Sequence, residues 1–97
     1  MISGINGTTC ILTSMARTRV ESNIITSAVI SGHKGDYKVF FDNESAKWQG
    51  ENLVLSSSRQ PYEPRIFKSI DGAMAEILRV GLTTACVKIE RPLDDEE

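Results

Sequence analysis

The stretch Arg65–Gly81, RIFKSIDGAMAEILRVG, decides the fold, because it carries a complete set of helix signals. Ser69 is a good N-cap residue, since its hydroxyl can accept a hydrogen bond from the free backbone N–H groups of the first turn. Gly81 follows as a C′ residue, where a left-handed backbone ends many helices. Between them, one apolar face recurs at three- and four-residue spacing and consists of Ile70, Ala73, Met74, Ile77 and Val80. We therefore predict a core helix over about 69–80.

Most of the remaining chain has the composition of β-strands and of the turns between them. The predicted strands are rich in β-branched or alternating apolar residues and cover 8–15, 24–31, 37–41, 47–49, 53–57 and 84–90. Polar or glycine-containing segments separate the earlier strands and are predicted turns or loose strand ends at 16–23, 32–36 and 42–46.

Side-chain alternation predicts which face of each strand is buried. One face of the strand at 37–41 carries Tyr37, Val39 and Phe41. Its other face carries Lys38 and Phe40, which indicates a strand near the middle of the sheet or one covered on both sides. The inward face of the last strand is predicted to carry Ala85, Val87 and Ile89.

This order of elements predicts an α+β domain of two layers. We expect a mostly antiparallel sheet of five or six strands, with one helix (about 69–80) packed on one face and a final strand after it. A small, partly open β-barrel plugged by the helix is the alternative architecture.

Length and charge indicate a single domain with an acidic end. The chain has 97 residues, of which 40% are hydrophobic and 25% are charged, and its formal net charge is −2. We assign 1–93 to one α+β domain and 94–97 to an acidic tail; without the tail, nine acidic residues face eleven basic ones. No run approaches the roughly 20 apolar residues of a membrane-spanning helix, and the N-terminus lacks a secretory pattern, so the cytoplasm is the expected compartment.

No motif points to catalysis, a cofactor or a metal. His33 is the only histidine and lies in a glycine-flanked turn, where we expect an exposed side chain. Cys10 and Cys86 form no metal-ligand spacing and are expected to be free, buried thiols. The serine run 56–58 lacks the surroundings of a nucleophile, and no glycine-rich phosphate loop is present. We therefore expect a protein that is not an enzyme and needs no cofactor or metal.

Basic and aromatic residues before the helix define a candidate binding surface for a partner or nucleic acid. Its members are Arg17, Arg19, Lys34, Lys38, Phe40, Lys47, Trp48, Arg59, Tyr62 and Arg65. A sheet face with basic and aromatic side chains can hold a single nucleic-acid strand by stacking and phosphate contacts. Acidic residues are interleaved with the basic ones, however, and true binders usually show a stronger imbalance.

Protein–protein association is the preferred functional class. Phe40, on the face opposite Tyr37, indicates more apolar surface than one helix can cover, and a small domain with an uncovered sheet face or edge often pairs with a second copy of itself. The stretch GENLVLSSSRQP, followed by a serine-capped helix and a final strand, is similar to small orphan proteins of bacteria and their mobile elements. That similarity contains no catalytic motif, so we expect a cytoplasmic bacterial accessory module that binds another protein or, as a homodimer, a second copy of itself, with nucleic-acid binding as the alternative.

Overall fold

A computed structural model describes residues 4–89, and within them the chain forms two α-helices and six β-strands. In chain order these are β1 (Cys10–Leu12), α1 (Thr13–Glu21), β2 (Val29–His33), β3 (Asp36–Phe41), β4 (Lys47–Trp48), β5 (Glu51–Ser56), α2 (Ile70–Val80) and β6 (Cys86–Ile89). Two single turns of 3-10 helix occur at Ile5–Gly7 and Glu44–Ala46. The acidic tail at 94–97 lies outside the described residues.

The sheet is mixed and open. Its strand order is β1-β5-β3-β2-β6, and β4 forms a hairpin with the start of β5. The pairs β1–β5 and β2–β6 are parallel, whereas β3 runs antiparallel to both of its neighbours. The α+β prediction is therefore confirmed, although the sheet is less antiparallel than expected. The barrel alternative is wrong, because β1 and β6 form two separate edges of the described sheet.

Helix α2 confirms the prediction in detail. The Ser69 hydroxyl accepts a hydrogen bond of 3.1 Å from the Gly72 N–H. Gly81 has a left-handed backbone with φ of 114°, and its N–H and that of Leu82 donate to carbonyl groups of the last helical turn. This is the Schellman ending. The buried side chains of α2 are Ala73, Glu76, Ile77 and Val80.

Helix α1 overturns the prediction of a strand at 8–15 followed by a turn at 16–23. The strand ends at Leu12 and the helix begins directly at Thr13. Its apolar side is narrow: Ala16 is fully buried, and Met15 and Val20 are partly buried against the core. The helix packs against α2, so tertiary packing stabilises a segment whose own apolar periodicity is weak.

The second strand begins and ends later in the sequence than predicted. The second strand begins at Val29 and continues to His33, so the turn predicted at 32–36 shrinks to the two residues 34 and 35. Gly32 pairs with Tyr37 in this strand, and the position requires glycine because a Cβ there would come within 2.1 Å of the Asp36 carbonyl oxygen. The hairpin register places Ile30 opposite Val39.

Both helices pack on the same core, so the domain has two layers. The core face of the sheet carries the side chains predicted for it in β3, together with residues of the other strands: Ile11, Ile30, Tyr37, Val39, Phe41, Leu53 and Leu55. Helix α1 contacts β1 and β5, and α2 contacts β3. No helix in residues 4–89 is long and apolar enough to cross a membrane.

Candidate functional site

The structure brings Lys38 and Phe40 together on the sheet face opposite the helices, which we call the open face. They belong to β3, whose burial alternates residue by residue, and both are half-buried. The Lys38 ammonium lies 3.2 Å from the Asp36 carboxylate, so part of its charge is already neutralised.

A row of side chains crosses the open face from one sheet edge to the other. The strand register aligns Cys10, Val54, Phe40, Val29 and Cys86. Cys10, Val54 and Val29 are buried. Phe40 is half-buried, and Cys86 is exposed. The centre of this face is therefore apolar.

Lys88 is an open-face residue that the candidate binding surface did not include, although alternation in the last strand predicts an outward side chain. It lies opposite Ser31 of β2, and Ser31 in turn lies opposite Lys38 of β3, so the two lysines share one row. The alignment of the two lysines follows only from the strand order. Strand β6 pairs with β2, which is far away in the sequence, and no local pattern predicts that pairing.

Trp48 does not join Phe40 on the open face. It belongs to β4, is half-buried and packs against the main core. In the same strand, the Lys47 ammonium donates a hydrogen bond of 2.5 Å to the Asn52 side chain. The tryptophan is thus a packing residue and does not share a surface with Phe40.

The two arginines assigned to a turn lie instead on helix α1. Arg17 is exposed and pairs with Glu21 one turn later at 3.8 Å. Arg19 is half-buried, and its Nη1 is buried without a hydrogen-bond partner in residues 4–89. Burial lowers the pKa of the Arg19 guanidinium.

The remaining residues of the predicted surface lie in the β2–β3 turn and in the segment after β5. Lys34 is at the exposed tip of the β2–β3 hairpin, and Arg59 and Tyr62 are exposed in the segment after β5. Arg65 is held more firmly: its guanidinium lies 4.7 Å from the centre of the Phe67 ring and 3.6 Å from the Glu76 carboxylate. The ten residues are therefore distributed over several surfaces.

The β6 edge is the most exposed apolar part of the sheet. All four residues of β6 are exposed, and Val87 and Ile89 expose 43% and 53% of their surface. Both were predicted to point inward, and they do lie on the core side of the sheet, opposite Ile30 and Gly32. They are uncovered because α2 lies over β3, nearer the middle of the sheet.

One side chain of α2 is also apolar and exposed. Leu78 exposes 58% of its surface. It lies two residues beyond Glu76, which bonds to Thr13 of α1, so Leu78 is on the opposite side of α2 from α1. We call Val87 and Ile89 the β6 edge surface.

Within residues 4–89, no three His, Cys, Asp or Glu side chains lie close enough to hold a metal ion. Both cysteines are free, but only Cys10 is buried as predicted. Burial, and secondarily the charge of Glu63, raise the pKa of the Cys10 thiol. The buried carboxylate of Glu76 accepts a hydrogen bond from the Thr13 hydroxyl and lies within 4 Å of two arginines.

No protein-family model, curated protein or solved structure matches this chain. Its function is therefore argued from these surfaces.

Proposed function

We propose that this protein is a small interaction module that binds a second copy of itself through strand β6. The observation that carries the proposal is the β6 edge surface: a sheet edge whose two core-side residues, Val87 and Ile89, are apolar and exposed. Natural edge strands usually protect such positions with charge, proline or a covering element. Here a protein partner would supply the cover.

Backbone groups on the outer side of β6 are available for strand pairing. The Cys86 N–H donates to the Ala28 carbonyl of the neighbouring β2, so it points inward. Because backbone groups alternate sides along a strand, the N–H groups of Val87 and Ile89 point outward. An added strand would satisfy them and extend the sheet, which is a common mode of protein recognition.

Side-chain chemistry favours one register for two β6 strands. In an antiparallel pair centred on Val87, the two valines face each other across the symmetry axis, and each Cys86 faces a Lys88 of the second copy. A pair centred on Lys88 would instead oppose two like charges, which destabilises a sheet. The Val87 register also exchanges two backbone hydrogen bonds at the axis, as the outward N–H requires.

The test is the mass of the full chain in solution, measured by light scattering for the natural sequence and two variants. We expect twice the monomer mass of 10.7 kDa for the natural sequence and a monomer for Val87→Lys, because two lysines would meet at the axis. Ile66→Lys is the matched control, since Ile66 is similarly exposed, at 45%, but lies outside β6. A monomeric natural chain, or a dimer that survives Val87→Lys, would contradict the proposal.

Single-stranded nucleic acid is the second candidate ligand, and the open face favours it. Lys38 and Lys88 lie in one row beside Phe40, which is an arrangement suited to phosphate contacts and base stacking. The nearby Asp36 and Asp42 weaken this case. Fluorescence titration with short oligonucleotides at two salt concentrations tests it, using the full chain and a version ending at Leu93. Salt-sensitive binding that strengthens without the tail would support nucleic-acid recognition.

The absence of catalysis and the cytoplasmic location belong to the same proposal. Glu76, a buried carboxylate, is bound to Thr13 and Arg65 in the manner of a structural group. Two free thiols suit a reducing compartment.

A further inference from the structure

A polar hollow lies at the opposite edge of the sheet from β6, where the parallel strands β1 and β5 end. It has a volume of about 250 Å³, and its lining includes the start of α1, the serines at 56–58 and Arg65. In open α/β sheets, ligands bind outside the carboxyl ends of parallel strands, where following helices present their N-termini. The hollow and the β6 edge surface share no residue.

Helix α1 begins in the hollow without a side-chain cap. Its N-cap residue is Leu12, and within the described residues no side chain accepts a hydrogen bond from the first-turn N–H groups. Helix α2 differs, since Ser69 caps it. The uncapped end of α1 therefore presents backbone donors and the positive end of the helix dipole to the hollow.

Ser56 supplies a second and independent indication of a ligand. It lines the same hollow, is paired in register with Leu12 and exposes only 1% of its surface. Its hydroxyl is buried and has no hydrogen-bond partner among the described residues. A buried hydroxyl without a partner is unfavourable and uncommon, so it marks a place where a bound group would complete the hydrogen bonding.

Arg65 gives the hollow a positive charge in a fixed position. Its guanidinium stacks over Phe67 and lies 3.6 Å from the Glu76 carboxylate. That carboxylate is satisfied elsewhere as well, by the Thr13 hydroxyl at 2.5 Å and by Arg79 at 3.9 Å. Arg65 lines the hollow and Arg79 does not, so the Arg65 guanidinium is the cation that a bound anion would contact.

We propose that this hollow binds the phosphate group of a small phosphorylated ligand. The N–H groups of Ser14 and Met15 in the first turn of α1, the Ser56 hydroxyl and the Arg65 guanidinium are the donors. This set combines backbone amides, a hydroxyl and a cation, as sites for tetrahedral oxyanions do. A neighbouring hollow of about 810 Å³ shares Ser57, Ser58 and Arg65 with the first, so it offers room for the rest of such a ligand.

The probe is inorganic phosphate, added to the isotope-labelled full chain at constant ionic strength while backbone amide NMR signals are recorded. We expect saturable shifts of the amides of Ser14, Met15 and Ser56, with sulfate acting similarly and chloride having no effect. Ser56→Ala and Arg65→Gln should each weaken phosphate binding by about tenfold or more, since each removes a hydrogen bond to a charged group.

Arg79→Gln is the matched control. Arg79 also approaches Glu76, yet it does not line the hollow, so this variant should retain the natural affinity. The NMR spectra also show whether each variant is folded, and Ser56→Ala provides a second reading if Arg65→Gln is not. Shifts that do not saturate, or an affinity that Ser56→Ala leaves unchanged, would overturn the proposal.

Discussion

Ile30 and Val87 lie opposite each other in adjacent parallel strands and on the same side of the sheet, yet Ile30 is fully buried and Val87 is 43% exposed. The helical layer ends between them. The sheet extends one strand further than the helices that cover it, and the uncovered strand is apolar on its core side. This mismatch is the physical basis for proposing that β6 is an interface.

Ile77 should be a major source of stability, because it is fully buried at the centre of the α2 face. We expect Ile77→Ala to lower the free energy of unfolding by about 2–4 kcal/mol, through lost burial and the cavity that remains. Urea denaturation measures this directly. A loss below about 1 kcal/mol would show that this face does not pack as described.

Alanine in place of Gly72, in the first turn of α2, and alanine in place of Gly81, just after its end, should change the stability in opposite directions. Gly81 has φ of 114°, and a Cβ there would lie 3.3 Å from the Val20 side chain, so Gly81→Ala should cost about 1–2 kcal/mol. Gly72 is in the first helical turn, where a Cβ makes ordinary contact with Ser69, so Gly72→Ala should gain about 0.5–1 kcal/mol. Thermal unfolding of both variants provides the comparison, and shifts of the same sign would refute the helix ending.

Ser56→Ala should stabilise the protein in the absence of phosphate. Its hydroxyl is buried and has no partner in the part of the chain that the structure describes, so removing it relieves a penalty of about 1 kcal/mol. Ser69→Ala is the contrasting serine variant, because it removes a helix cap and should cost about 0.5–2 kcal/mol. Denaturant titration in phosphate-free buffer distinguishes them. A destabilised Ser56→Ala variant would mean that the hydroxyl has a partner in the folded state.

The two thiols should differ in reactivity. Cys86 is exposed on β6, whereas Cys10 is buried and its raised pKa lowers the thiolate fraction at any given pH. A thiol reagent added to the native protein should therefore modify Cys86 first and Cys10 only on unfolding. Mass spectrometry after brief labelling identifies the modified residue, and rapid labelling of Cys10 would contradict its burial.

Capping residues and regular apolar spacing made α2 predictable from the sequence. Helix α1 lacks these features and was not predicted. Ser69 and Gly81 mark both ends of α2 in the sequence, and the apolar spacing between them is regular. Helix α1 has β-branched residues at Thr13, Thr18 and Val20, which favour strands, and its packing against α2 is a long-range contact. Sequence periodicity cannot report such contacts.

The candidate surfaces were harder to predict, because they depend on strand order. The alternation within 37–41 correctly separated Phe40 from the core face, and that within 84–90 placed Val87 on the core side. The exposure of Val87 follows only from the position of β6 at an edge. Likewise, the hollow at α1 joins Ser56 to a helix that the sequence did not reveal.

Hydrogen exchange at the Val87 amide tests the central claim most directly, because this N–H points away from β2 and is the group that a second β6 would engage. The account predicts that protection of the Val87 and Ile89 amides increases with protein concentration, while the inward Cys86 amide, bonded to Ala28, is protected throughout. Fast exchange at Val87 that does not depend on concentration would contradict dimerisation through β6.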